Sequence, residues 1–122
     1  MSFRPFKRRG RGVRHVPGVM NKTEAVWAEH LKFAQVNGEV EWFMFEPFKL
    51  KLADKTYYSP DFLVMLPDGT LEVHEIKGTS KGKPFIEDDA AVKIKVAARL
   101  FPFKFKLLWI VKDAGWSWRE YS

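Results

Sequence analysis

The chain has 122 residues, enough for one domain with a sizeable core and too few for two. A hydrophobic content of 46% suits a globular fold, and the lack of cysteine excludes disulfides and thiolate metal sites. The net charge of +6 resides in residues 1–20, which hold Arg4, Lys7, Arg8, Arg9, Arg11 and Arg14 and no acid; residues 21–122 balance 15 basic against 15 acidic side chains.

No apolar run approaches the ~20 residues needed to span a bilayer, and no apolar segment follows the basic start. The expectation is a soluble cytoplasmic protein with no membrane partner. Residues 1–20 read as a flexible basic arm and residues 21–122 as a single domain. Arginine and lysine clustered with glycine bind polyanions, and each neutralised phosphate releases a counterion. The plainer alternative is a solubilising or localising tail.

After Pro17-Gly18, Asn21-Lys22-Thr23-Glu24 signals a helix start, with Asn21 as N-cap and Glu24 at the capping-box position. The helix should run to about Val36, stopped by Asn37-Gly38, with Trp27, Ala28, Leu31 and Ala34 facing inward. Glu24 begins that same stripe. From Trp42 the period changes to two, which predicts a strand over residues 42–52 with an irregularity at Pro47. Further strands are expected over 57–66 and 70–77. A Gly/Lys/Ser-rich loop should cover 78–84. A second helix then opens on Glu87-Asp88-Asp89, acids that suit the helix dipole, and ends before Pro102. A last strand is expected over 103–111, followed by a tryptophan-rich end. The element order is α-β-β-β-α-β.

Pro67-Asp68-Gly69 suits a three-residue hairpin loop, with proline at the first central position and glycine at the left-handed one. That loop pairs Leu66 with Thr70, and therefore Asp61 with Glu75, each seven residues from Asp68. A two-residue Asp68-Gly69 turn would move the two acids to opposite faces, but it would put Pro67 into the ladder. Directly opposed side chains have Cβ atoms ~4.5–5.5 Å apart, and like charges there are destabilising. A divalent cation reverses that penalty, and Mg²⁺ or Mn²⁺ needs only one or two carboxylates. Lys77 shares the face of Glu75, whereas His74 faces away.

Pro60-Asp61 followed by Glu75-Ile76-Lys77 on the next strand resembles the PD-(D/E)xK nuclease signature, and Glu24 adds the helix acid that many members carry. The order Glu24, Asp61, Glu75, Lys77 is similar to that of phage Holliday-junction resolvases of the endonuclease I type, over about residues 21–111. The resemblance implies an α/β, restriction-endonuclease-like fold, with a mixed, mostly antiparallel sheet of about four strands flanked by helices. It implies a metal-dependent, structure-specific DNA endonuclease, a homodimeric resolvase of branched DNA in the cytoplasm, the host's if phage-encoded. Asp61, Glu75 and the Ile76 carbonyl would bind Mg²⁺, with Mn²⁺ as substitute. Glu24 would hold a second ion or a water. Lys77 would orient or deprotonate the attacking water, or balance charge in the transition state.

Lys93 and Lys95 on the second helix are candidate phosphate contacts. Glu46, beside Pro47, could line the site, but a surface role is expected; His30 is read as structural. Trp116 and Trp118 are either core or a stacking surface. Two alternatives remain beside the resolvase: a nuclease of nicks, flaps or duplex ends, and a non-catalytic DNA-binding module.

Overall fold

The computed structural model describes residues 16–80, 83–84 and 88–121. Most of the basic arm, with Arg4, Lys7, Arg8, Arg9, Arg11 and Arg14, lies outside the described residues, as does Glu87.

Helix α1 (Lys22–Val36) starts with the expected capping box: the Glu24 N–H donates to Asn21 Oδ1, and the Asn21 N–H donates to Glu24 Oε1, both at 2.8 Å. It ends at Asn37, and Gly38 takes the left-handed φ of 78° that turns the chain away. Glu24, Trp27, Ala28, Leu31 and Ala34 form its buried stripe, as their spacing predicts.

The described residues form nine strands after α1: β1 (Trp42–Phe45), β2 (Leu50–Ala53), β3 (Thr56–Tyr58), β4 (Phe62–Met65), β5 (Leu71–Lys77), β6 (Thr79–Ser80), β7 (Lys83–Pro84), β8 (Lys104–Val111) and β9 (Gly115–Tyr121). Helix α2 (Asp88–Leu100) lies between β7 and β8. The architecture is α/β, built on a five-stranded mixed sheet in the order β1-β4-β5-β8-β9. Among the described strand pairs only β5–β8 is parallel, and α2 lies in the long connection that a parallel pair requires.

Several expectations are corrected here. The strand foreseen over 42–52 is two strands in different sheets, because Glu46 takes a left-handed φ of 48° and Pro47 has no N–H for a ladder. The strand foreseen over 57–66 is likewise broken, into β3 and β4, at Ser59-Pro60-Asp61. β2 and β3 form their own antiparallel ribbon. Part of the loop foreseen over 78–84 is the short β6–β7 ribbon. The tryptophan-rich end is β9, a fifth strand that pairs along β8 from Gly115 to Tyr121.

The sheet separates two cores. On one side α1 packs over Phe62, Val64, Ile76 and Leu108. On the other, α2 inserts Ile94 and Ala97 among Leu63, Val73, Phe105 and Leu107, together with Leu50 and Tyr58 from the small ribbon. Side chains alternate along β5, so Glu72, His74 and Ile76 face α1, while Val73, Glu75 and Lys77 face α2.

Candidate active site

Register decides the site. β4 and β5 pair Phe62 with His74, Leu63 with Val73, Val64 with Glu72 and Met65 with Leu71. The loop is the three-residue form: the Leu66 N–H donates to the Thr70 carbonyl at 2.9 Å, and Gly69 sits at φ 90°. The Thr70 N–H donates to Asp68 Oδ1, which tightens the turn. Continued past Phe62, this register sets Asp61 opposite Glu75.

Asp61 stands one residue before β4. Its carbonyl accepts the Glu46 N–H at 2.7 Å from the β1 side. Its carboxylate reaches the other way, and Oδ2 accepts the Ile76 N–H at 2.7 Å. The bend at Ser59-Pro60-Asp61 thus gives the end of β5 a carboxylate where an unbroken strand would offer a carbonyl.

Glu75 is 8% exposed, and both of its oxygens are held. Oε1 accepts the Tyr58 hydroxyl at 2.7 Å, and Oε2 meets Lys77 Nζ at 3.0 Å. Burial and the Glu75 charge push the Asp61 carboxyl up to about 9; the Ile76 N–H opposes this, the Glu24 charge adds to it, and Lys77 opposes it. Burial first, then the charge and hydrogen bond of Glu75, raise the Tyr58 hydroxyl, so Tyr58 is a donor here. Two acids and one amine therefore meet at one end of the sheet, and a proton held on Asp61 relieves the repulsion between the acids.

Glu24 is buried in the first turn of α1, where it closes the capping box with Asn21, and its charge is felt at Asp61. Lys93 is half-buried and Lys95 exposed on α2, either side of buried Ile94. Among the described residues, no three or more His, Asp or Glu side chains gather as a ready ligand cage.

Sequence reasoning missed one participant and favoured the surface for another. Tyr58 reads as one more strand aromatic, and only its position three residues before Asp61 hinted at a role. Glu46, expected at the surface, holds the Asp61 carbonyl through its N–H and accepts the Gly18 N–H on Oε1 at 2.6 Å. The indole N–H of Trp109, the β8 neighbour of Lys77, is buried and has no hydrogen-bond partner among the described residues.

A second polar group lies on the α1 face. The Trp27 indole N–H donates to His74 Nδ1 at 3.1 Å; His74 Nε2 lies 2.9 Å from Glu72 Oε1, and Lys106 Nζ lies 3.1 Å from Glu72 Oε2. Accepting from Trp27 requires a lone pair on Nδ1, so the proton sits on Nε2 and the ring is neutral. Burial, which holds His74 below the ordinary histidine range, agrees. Burial also raises the Glu72 carboxyl, but the bonds from His74 and Lys106 outweigh it and hold the group low. His30, exposed on α1, stacks on Trp27 with centroids 4.5 Å apart. Trp116 packs on Trp27, whereas Trp118 is 60% exposed.

Compared with protein-family models and with curated proteins, the chain matches none. Its functional reading therefore rests on the geometry above.

Proposed function

We propose that this chain is a divalent-metal-dependent, structure-specific DNA endonuclease that hydrolyses phosphodiesters in four-way junctions. One observation carries the reading. The carboxylates of Asp61 and Glu75 meet at the end of the β4–β5 pair, with Lys77 Nζ 3.0 Å from Glu75 Oε2. The run α1, β1, β4, β5, α2, β8 keeps the expected order around antiparallel and then parallel pairing. That order supports a restriction-endonuclease-like assignment, with β9 as an addition.

The donor set fits the ion. Carboxylate and carbonyl oxygens are hard ligands suited to Mg²⁺ or Mn²⁺, which keep several positions for water and phosphate oxygens. Asp61, Glu75 and the Ile76 carbonyl would hold the ion, with Glu24 serving a second ion or a water. Once bound, the ion neutralises charge on the phosphate and acidifies water. Tyr58 and Lys77 restrain the two Glu75 oxygens, so Glu75 is set before any ligand arrives. An ion held there would replace the proton that burial keeps on Asp61. The Lys77 amine orients the attacking water and offsets charge as the phosphorus gains its fifth oxygen; in its neutral form it takes the water's proton.

DNA is the partner, bound through its backbone and shape. The arm's six cations and the lysines of α2 supply phosphate contacts. Cutting two strands symmetrically requires a homodimer. No described helix is long and apolar enough to cross a membrane, and work on DNA suits a cytoplasmic site.

A panel of four-way junction, linear, nicked and flapped DNA, run with Mg²⁺, Mn²⁺, Ca²⁺ or chelator, tests the reading. The parent should cut the junction with Mg²⁺ or Mn²⁺ only, while Asp61→Asn and Lys77→Ala bind without cutting. A parent that cuts nothing in the panel overturns the enzyme and leaves a binding module. A preference for nicks or flaps overturns the junction assignment alone.

A further inference from the structure

A cavity of about 610 Å³ opens directly beside Asp61, lined by Glu46, Phe48, Lys49, Ser59 and Pro60 as well as Asp61 itself. Neither Glu75 nor Lys77 is among its lining residues, so it borders the site at Asp61. Its size falls within the range of small-ligand sites, roughly 300–1,000 Å³, and exceeds what a water cluster or single ion needs.

The walls are held in place. Pro60 is fully buried. Phe48 stacks on Phe103 with centroids 5.9 Å apart and planes 20° apart, which fixes its ring. Glu46 is held in its left-handed conformation by the bond from its N–H to the Asp61 carbonyl and by the Gly18 N–H on its carboxylate. A non-glycine residue kept at φ 48° beside a reacting group is the sort of strain that surrounding structure maintains for function. The chemistry of the lining is mixed: an aromatic ring, an exposed lysine, a hydroxyl and a carboxylate. A nucleotide matches this set, with its π-face for the ring, base-edge donors for the carboxylate and hydroxyl, and phosphate for the ammonium.

We infer that this cavity receives the nucleotide flanking the phosphodiester that is cut, with its base turned out of the stack. The inference rests on the nuclease reading and names its substrate class as DNA with an unpaired nucleotide beside the scissile bond. Taking a base out of a duplex is costly and is cheapest where pairing is already lost. The cavity thus selects branch points over plain duplex without reading sequence.

The test is a binding cycle in Ca²⁺ between parent and Phe48→Leu, on junctions carrying one abasic nucleotide at each branch-point position in turn. The parent should bind the intact junction about tenfold more tightly than Phe48→Leu does, and the difference should vanish at one abasic position. A Phe48→Leu defect that is the same at every position, or no defect at all, overturns the inference. Lys49→Gln, at an exposed site, covers the case in which Phe48→Leu does not fold. It should weaken junction binding about threefold and leave linear duplex binding unchanged, and equal effects on both DNAs count against the cavity. Because binding is read without cleavage, failure of the cavity and failure of the nuclease are seen separately. A parent that cuts while the cycle is additive loses only the cavity, and one that never cuts loses the enzyme.

Discussion

The Asp61 carboxylate accepts the backbone N–H of Ile76 at 2.7 Å, across the gap between β4 and β5. This bond fixes an acid from a bent segment against the residue that separates Glu75 from Lys77. It also explains why the acid stays despite its burial beside Glu75, since the N–H supplies part of the compensation that water would otherwise give.

Removing the Asp61 charge should stabilise the metal-free protein. With its carboxyl pushed up to about 9, the folded protein keeps a proton that the unfolded chain releases near pH 4. That contribution is fully present below about pH 4 and is lost as pH rises towards 9. In chelator, urea unfolding should show the parent losing stability between pH 5 and pH 9 relative to Asp61→Asn, with the variant ahead by about 1–2 kcal/mol at pH 8. A variant less stable than the parent at pH 8 would contradict the burial argument.

Cation binding must displace that proton. Calorimetry should therefore find Mg²⁺ binding with release of about one proton near neutral pH, and apparent affinity rising by up to about tenfold per pH unit below 9. A pH-independent affinity would remove Asp61 from the ligand set.

Tyr58→Phe deletes the donor on Glu75 Oε1 and leaves the packing on Phe105 in place. A hydrogen bond to a charged group contributes about 1.5–3 kcal/mol, so cleavage should fall roughly ten- to a hundredfold while DNA binding in Ca²⁺ holds. Unchanged cleavage would mean that Glu75 needs no such restraint.

Lys106→Met leaves Glu72 buried with only neutral His74 beside it. The expected loss is about 1–3 kcal/mol in urea unfolding, with cleavage of folded protein within a few-fold of the parent. An abolished rate in a fully folded variant would move this network from support to chemistry.

Deleting residues 1–14 removes six cations. For duplex arms the slope of log affinity against log salt should flatten by up to about five, with the metal-binding enthalpy unchanged. An unaltered slope would show that the arm does not touch phosphate.

Much of the fold was legible from local signals. Asn21 and Glu24 announced the helix cap, and the spacing of Trp27, Leu31 and Ala34 its inner face. Other features had no local sign. Phe48 and Leu50 resume the alternation of Phe43 and Phe45 after one irregularity, yet they pack into the other core, because the chain breaks at left-handed Glu46, whose N–H bonds the Asp61 carbonyl. Trp116 and Trp118 gave no hint of a fifth strand, since pairing along β8 depends on an edge that exists only after α2 has returned the chain.

The sequence alone determined which acids would face each other. A three-residue loop with proline first and glycine last admits one register, and backbone sterics enforce it over a few residues. Tertiary structure decided what those acids experience. The burial that keeps a proton on Asp61, the Tyr58 hydroxyl on Glu75 and the cavity walled by Glu46 and Phe48 all join segments that sequence separates. Desolvation and long-range contacts depend on how the whole chain packs, and no local pattern encodes them.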